Sequence, residues 1–275
     1  MSATVLRVVR LALYLAVTLP LMPVQAALLM MRSPLAARLP RLYHSWTTRL
    51  LGLRIEVAGD RLLRQPTLFV ANHISFLDIE ILGSLLEASF ISKADVARWP
   101  LIGWLAKLQR TVFVDRRVSS THHQRNAIRD RLDRSDNLVL FPEGTTGDGN
   151  RALPFKSALF SVADYVGPNG PLAVQPVSIA YVRLDGMPLG RFYRPFVAWY
   201  GDMEFVPHLW TMLGLGRVGV EVTFHPPVSL ADFGSRKALA EHCYRVVAAG
   251  VASAVAGRPQ AWPAPRPAAA QVAAQ

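Results

Sequence analysis

An α/β fold is predicted, with a mixed, largely parallel sheet flanked by helices and an N-terminal membrane-associated helical segment in front of it. From about residue 54 onward, strand-length apolar runs alternate with helix-length patterned segments. Before them, residues 11–31 carry no charge and are bordered by Arg7, Arg10 and Arg32. The 275 residues are 51% hydrophobic, and the mean hydropathy is +0.24. That is high for a soluble domain and points to membrane contact. The expected organisation is a membrane-associated helical segment over 1–50, one domain over 51–257, and a disordered Pro/Ala-rich tail over 258–275.

The first apolar run is long enough to cross a bilayer as a helix. Pro20 and Pro23 interrupt it, so a straight span, a kinked helix and a re-entrant piece are all compatible with it. Val24-Gln25-Ala26 also resembles a signal-peptide cleavage site. Arg32, Arg38, Arg41, Arg49, Arg54, Arg61 and Arg64 face only Glu56 and Asp60 in the next stretch, as on a cytoplasmic, headgroup-facing flank. Within it Leu42, Trp46 and Leu50 recur at helical spacing, and Tyr43 and Trp46 suit an interface.

Residues 54–58 read as a strand, Gly59-Asp60 as a turn, and Thr67-Leu68-Phe69-Val70-Ala71 as a second strand. A helix follows Asp78 and ends near Glu87. Residues 90–92 are a short strand, 100–108 a helix and 111–114 another strand. Residues 122–134 form a charged, exposed helix with Ile128 and Leu132 inward, and 138–141 a buried strand stopped by Pro142. Pro176 places the strand over 172–181 at an edge or bulge. Residues 196–200 read as a strand and 205–213 as a short apolar helix favouring the core. Residues 218–224 are the last strand, and 236–256 a closing helix with Leu239, Cys243, Val246 and Val247 inward.

The charge balance is 30 Lys+Arg against 19 Asp+Glu, a net +11, which suits an anionic surface. No nucleic-acid motif accompanies it, so a lipid surface is the expected partner. The single cysteine, Cys243, rules out an internal disulfide framework and a four-cysteine metal site. His122 and His123 have no metal-like spacing, and no metal is expected.

The chemistry-bearing stretch is Asn72-His73-Ile74-Ser75-Phe76-Leu77-Asp78. Its place between strand and helix puts His73 before the helix and Asp78 in the first turn. There Asp78 can orient one imidazole nitrogen and leave the other as a base for a hydroxyl. Ser75 to Asp78 also fits a capping box, which would explain Asp78 without chemistry. Glu143 ends a strand in a turn built by Pro142 and Gly144, where its carboxylate could accept bonds from acceptor hydroxyls. Arg116, directly after a strand, could grip a phosphate or carboxylate. No Gly-x-Ser-x-Gly nucleophile elbow is present, so direct attack in a ternary complex is the simpler chemistry.

Asn-His-x-Ser-x-x-Asp at 72–78 resembles the first motif of the glycerophospholipid acyltransferases. Residues 93–116 resemble the second, Phe141-Pro142-Glu143-Gly144-Thr145 the third, and Val174-Gln175-Pro176-Val177-Ser178-Ile179 the fourth. The resemblance spans about residues 65–185. It implies His73 and Asp78 as catalytic, with Arg116, Glu143, Gly144, Thr145, Lys93 and Ser75 binding substrate. It implies acyl-CoA or acyl carrier protein as co-substrate, no cofactor, and a lysolipid acceptor at the inner membrane with the domain on the cytoplasmic side. The leading acceptor is 1-acyl-sn-glycerol-3-phosphate, giving phosphatidic acid, and the alternative is lyso-ornithine lipid. Thr146 stands where many members carry a basic residue, which puts the headgroup in question; Arg151 or Lys156 could supply that charge. Backbone amides near the helix start are the expected oxyanion donors. The non-enzymatic rival is a peripheral lipid-binding protein.

Overall fold

The computed structural model describes residues 2–62, 66–114, 121–168 and 170–258, with backbone only for 121–126. The expected disordered tail, from 259 on, lies outside the described residues, as do Arg64, Arg116 and Arg117.

One continuous helix, Ala3–Met30 (α1), runs through Pro20 and Pro23. The chain then turns into Leu35–Leu50 (α2). Thr18 Oγ1 and the Tyr43 hydroxyl, 2.8 Å apart, and a 2.9 Å bond from Gln25 Nε2 to the Ala36 carbonyl, hold the pair together. The stripe α2 buries is Ala36, His44, Thr47 and Thr48, while Leu42 stays exposed. Both threonine hydroxyls donate to carbonyls of their own helix, so they are satisfied without water. His44 pairs with Glu80 across the contact and lies over Gly83, where any Cβ would collide with its ring. Small and self-satisfied residues thus allow close packing of α2, and Leu35 and Leu42 are left facing outward.

The main sheet uses Leu53–Ala58 (β1), Thr67–Ala71 (β2), Ala88–Lys93 (β3), Val112–Val114 (β4) and Asn137–Leu140 (β5). A small separate ladder pairs Val166–Gly167 (β6) with Gly170–Pro171 (β7). Ala173–Leu184 (β8), Met187–Pro188 (β9) and Val218–Phe224 (β10) complete the set. The order is β1-β10-β8-β2-β5-β3-β4, with β9 hooked onto β8. β8, β2, β5, β3 and β4 run parallel, whereas β10 is antiparallel to β8 and parallel to β1. The sheet is therefore mixed and largely parallel.

Helices cover both faces: Leu77–Leu85 (α3), Ile102–Leu108 (α4), Thr121–Asp133 (α5), Phe205–Leu213 (α6) and Arg236–Val255 (α7). Alternation sorts the core. Phe69, Ala71, Val139, Ile179 and Tyr181 meet Ile81 and Leu82 of α3 on one face. Leu68, Val70, Leu138, Leu140 and Val174 meet Leu132, Leu239 and Cys243 on the other. With both faces covered, the central strands read as unbroken apolar runs. Burial pushes the Cys243 thiol up to about 12, so it is an inert core residue.

Two strand expectations need correction. Pro176 sits in β8, the strand between β10 and β2, not at an edge. Its carbonyl accepts from the His225 N–H, just past the last residue of β10. The nitrogen of Pro176 lies on that same side of the strand, and the His225 carbonyl, which it has no N–H to reach, accepts from Gln175 Nε2 at 2.9 Å instead. Residues 196–200 form no strand. Arg194–Phe196 is a 3-10 turn, after which Val197 and Ala198 are buried in irregular backbone. The Trp199 N–H donates to the Ile74 carbonyl at 2.9 Å, so this apolar run crosses the strand-to-helix loop instead of joining the sheet.

β1 ends beside β10 at Gly59, with φ +74 and no room for a Cβ, which would collide with the Phe224 carbonyl oxygen. Both constraints demand glycine. Gly59→Ala is expected to lower unfolding free energy by about 2–4 kcal/mol in chemical denaturation.

Candidate active site

The parallel register builds the site. Val70 pairs with Leu140, so His73, just past β2, and Glu143, just past β5, emerge side by side. β3 lies on the far side of β5 and ends at Lys93. Side chains from three sequence regions therefore converge at the carboxyl ends of adjacent parallel strands, where open α/β sheets form clefts.

Asp78, in the first turn of α3, is fully buried. One oxygen, Oδ2, accepts from His73 Nδ1 at 2.8 Å, from the Ile74 N–H at 2.6 Å and from the Ser75 N–H at 2.9 Å. Oδ1 accepts from the Tyr181 hydroxyl at 2.7 Å. Burial, with the Asp78 charge beside it, raises the Tyr181 hydroxyl well above its ordinary range, so it remains a donor. The backbone bond to Ser75 is half of the capping box, and the same carboxylate orients His73. A carboxylate bound this way fixes the imidazole with Nδ1–H toward Asp78 and Nε2 outward. The His73 ring stacks on Phe141, centroids 4.0 Å apart and planes 13° apart.

Asn72 fixes the strand end just before it. Its amide bonds both ways with the backbone of Ile179 in β8, at 2.9 and 2.8 Å. The loop after Glu143 folds back on this junction, with the Gly147 N–H donating to the His73 carbonyl at 2.8 Å. Glu143 is buried, and its Oε1 accepts from the Leu153 N–H at 2.9 Å. Burial pushes its carboxyl up to about 8, the Leu153 and His73 backbone amides pull the other way, and the Asp78 charge adds to the rise. The balance of these effects favours the protonated form of Glu143.

His73 faces an apolar cavity of about 240 Å³, walled by α1, α2, α4 and aromatic residues such as Phe90, Trp99 and Phe205. Among the described residues no three His, Cys, Asp or Glu side chains could jointly hold a metal ion.

His73, Asp78 and Glu143 are thus brought together, with Gly144 in the left-handed conformation at φ +68 beside them. Lys93 and Thr145 are exposed at neighbouring strand ends and loops. Ser75 differs from its expected role: it is fully buried and absent from the cavity wall. The expected oxyanion donors differ as well, because the Ile74 and Ser75 amides are already engaged by Asp78. Arg116 lies outside the described residues. Sequence reasoning gave no role to Tyr181, Phe141 or Asn72. The available signal for Tyr181 was a hydroxyl at the apolar phase of Val177, Ile179 and Tyr181.

Residues 54–180 match the family model described as Acyltransferase. A lyso-ornithine lipid O-acyltransferase of Brucella abortus is 45% identical over 251 residues, 90% of this chain and 94% of that protein. The chain belongs to the acyltransferase family. This acyltransferase is also 31% identical to a 1-acyl-sn-glycerol-3-phosphate acyltransferase of Neisseria gonorrhoeae, over 67% of this chain and 69% of the relative. The crystal structure of a 1-acyl-sn-glycerophosphate acyltransferase from Thermotoga maritima covers 78% of each chain with a TM-score of 0.56. At 22% identity that likeness speaks for the fold alone.

The raised carboxyl of Glu143 gives a pH prediction. Folded protein binds this proton more tightly than unfolded chain, whose carboxyl titrates near 4.5. The contribution is complete below that value and is lost as pH rises through about 8. Glu143→Gln, isosteric and never charged, should flatten this part of the stability curve between about pH 5 and 8 in urea denaturation.

Proposed function

We propose that this acyltransferase transfers a fatty acyl group from a thioester to the free hydroxyl of lyso-ornithine lipid, at the cytoplasmic face of a bacterial inner membrane. The observation that carries the reading is the 45% identity, across nearly the whole chain, to a relative named for that reaction. The motifs alone favour 1-acyl-sn-glycerol-3-phosphate as acceptor. The relatives move the preference to lyso-ornithine lipid, and Thr146 supports the move. A phosphate headgroup calls for cations, whereas ornithine, with its carboxylate and ammonium, does so less. The Neisseria relative keeps 1-acyl-sn-glycerol-3-phosphate as the second reading.

In this mechanism His73 Nε2 takes the hydroxyl proton as the oxygen attacks the thioester carbonyl. Collapse of the tetrahedral intermediate breaks the carbon–sulfur bond, and the imidazolium returns its proton to the departing thiolate of coenzyme A or acyl carrier protein. Asp78 stabilises the imidazolium and holds the ring, and Glu143, neutral, secures the loop against the His73 backbone. The step as written draws on no metal and no bound cofactor. The apolar cavity beside His73 suits an alkyl chain.

Membrane attachment is through α1, which is long and apolar enough to cross a bilayer. Its contacts favour a half-embedded position over a free span. Arg10 Nη1 donates to the carbonyls of Leu213 and Leu215, and Gln25 Nε2 donates to that of Leu108. Those two anchor points are about 22 Å apart along the helix. A helix fastened to the domain over that length lies against it, and the same contacts weigh against a removable signal segment.

Membranes containing the protein, given labelled acyl thioester, should acylate lyso-ornithine lipid in preference to 1-acyl-sn-glycerol-3-phosphate or an acylglycerol. His73→Ala at equal abundance should lose about 10²–10⁴-fold in rate while staying membrane-bound. Equal turnover by the variant would remove His73 as the base.

A further inference from the structure

The loop between β9 and α6 is built inside out. Arg194 is buried, donating to Asn150 Oδ1 at 3.0 Å and to the Val255 carbonyl at 2.9 Å. Its aromatic neighbours point the other way: Phe192 is 87% exposed, Tyr193 64% and Phe196 59%. Water-facing loops normally bury aromatics and expose arginine. The arrangement is also fixed. The Tyr193 and Arg194 N–H groups donate to the Gly190 carbonyl, the Phe196 N–H donates to the Tyr193 carbonyl, and Tyr193 stacks on Phe196.

The loop leaves and rejoins the fold on the α1 side of the sheet. Leu189 before it and Val197 after it are buried in the cluster that holds Leu213 of α6, and Leu11 of α1 packs on that cluster. α6, whose Leu213 shares that cluster, also carries apolar surface: Val206 is 71% exposed and Trp210 lies beneath the Arg7 guanidinium of α1. From there it joins the outward face of α1, with Val5, Val8, Val9 and Leu13 exposed. Arg191 is exposed in the loop itself. Aromatic tips, a flanking cation and an apolar helix rooted in the same core cluster are what a bilayer interface accepts.

We propose that Phe192, Tyr193 and Phe196 form a second membrane anchor, entering the interfacial region of the same leaflet as α1. This rests on the membrane-bound reading above. α1 supplies hydrophobic attachment along one line. The loop adds a point away from that line, so the pair fixes how the cavity is tilted toward the lipid.

The test is flotation of the full-length protein with limiting vesicles of phosphatidylethanolamine and phosphatidylglycerol. The combined variant Phe192→Ser, Tyr193→Ser, Phe196→Ser should lower the partition coefficient about tenfold or more. Val166→Ser, an equally exposed apolar residue away from this surface, should leave it unchanged. Thermal unfolding and turnover on detergent-dispersed substrates should match wild type. If the triple variant does not fold, Phe192→Ser alone, the most exposed position, should still cost a severalfold loss. Equal flotation of variant and wild type overturns the second anchor and leaves the acyltransferase reading standing. A wild-type dimer that the variant dissolves, with flotation unchanged, also overturns it, because a second copy then covers the patch. A wild-type protein that does not float at all removes the membrane-bound reading as well.

Discussion

Everything at the site depends on one buried carboxylate. Asp78 has no contact with water, so its charge survives only because four donors surround it: an imidazole, two backbone amides and the Tyr181 hydroxyl. Each donor comes from a different structural decision. The amides require the tight turn between β2 and α3, the imidazole requires His73 to precede the helix, and the phenol requires β8 to lie beside β2. Disturbing any of them leaves a buried anion short of partners, which links the chemistry of the junction to the stability of the sheet.

The sheet supplies the second constraint. Parallel neighbours end together, so residues far apart in sequence meet without any long-range loop reaching across. β2 and β5 bring His73 and Glu143 into line, and the loop after Glu143 then closes over the His73 backbone. The raised carboxyl of Glu143 follows from that closure: a group pinned beneath its own loop and near Asp78 is kept neutral by what surrounds it.

Much of this was legible in the sequence, and the reasons are local. The runs at 54–58, 67–71 and 218–224 are long enough, apolar enough and well enough bounded by turns to read as strands. The His73 to Asp78 spacing carries its own geometry. What failed was decided at a distance. Pro176 looks like an edge residue until the Gln175 side chain is seen to supply the His225 carbonyl with the donor that proline lacks. Residues 196–200 have strand composition, but the Ile74 carbonyl claims the Trp199 amide. The buried face of α2 is polar because His44 finds Glu80 and two threonines satisfy themselves, and no periodicity in α2 alone reports the existence of Glu80. Ser75 and the helix-start amides looked available for substrate only because the appetite of Asp78 for donors was invisible.

α1 also has two faces under different rules. Its outward side needs only to remain greasy, and many substitutions would serve. Its inward side carries Tyr14, Thr18, Met22 and Gln25 on the wall of the cavity that His73 faces. Genetic drift in a segment easily dismissed as a tether is therefore filtered by the cavity that His73 faces. Over evolutionary time, the shape of this cavity could diversify through the first thirty residues while the strand ends that hold His73 and Glu143 stay as they are.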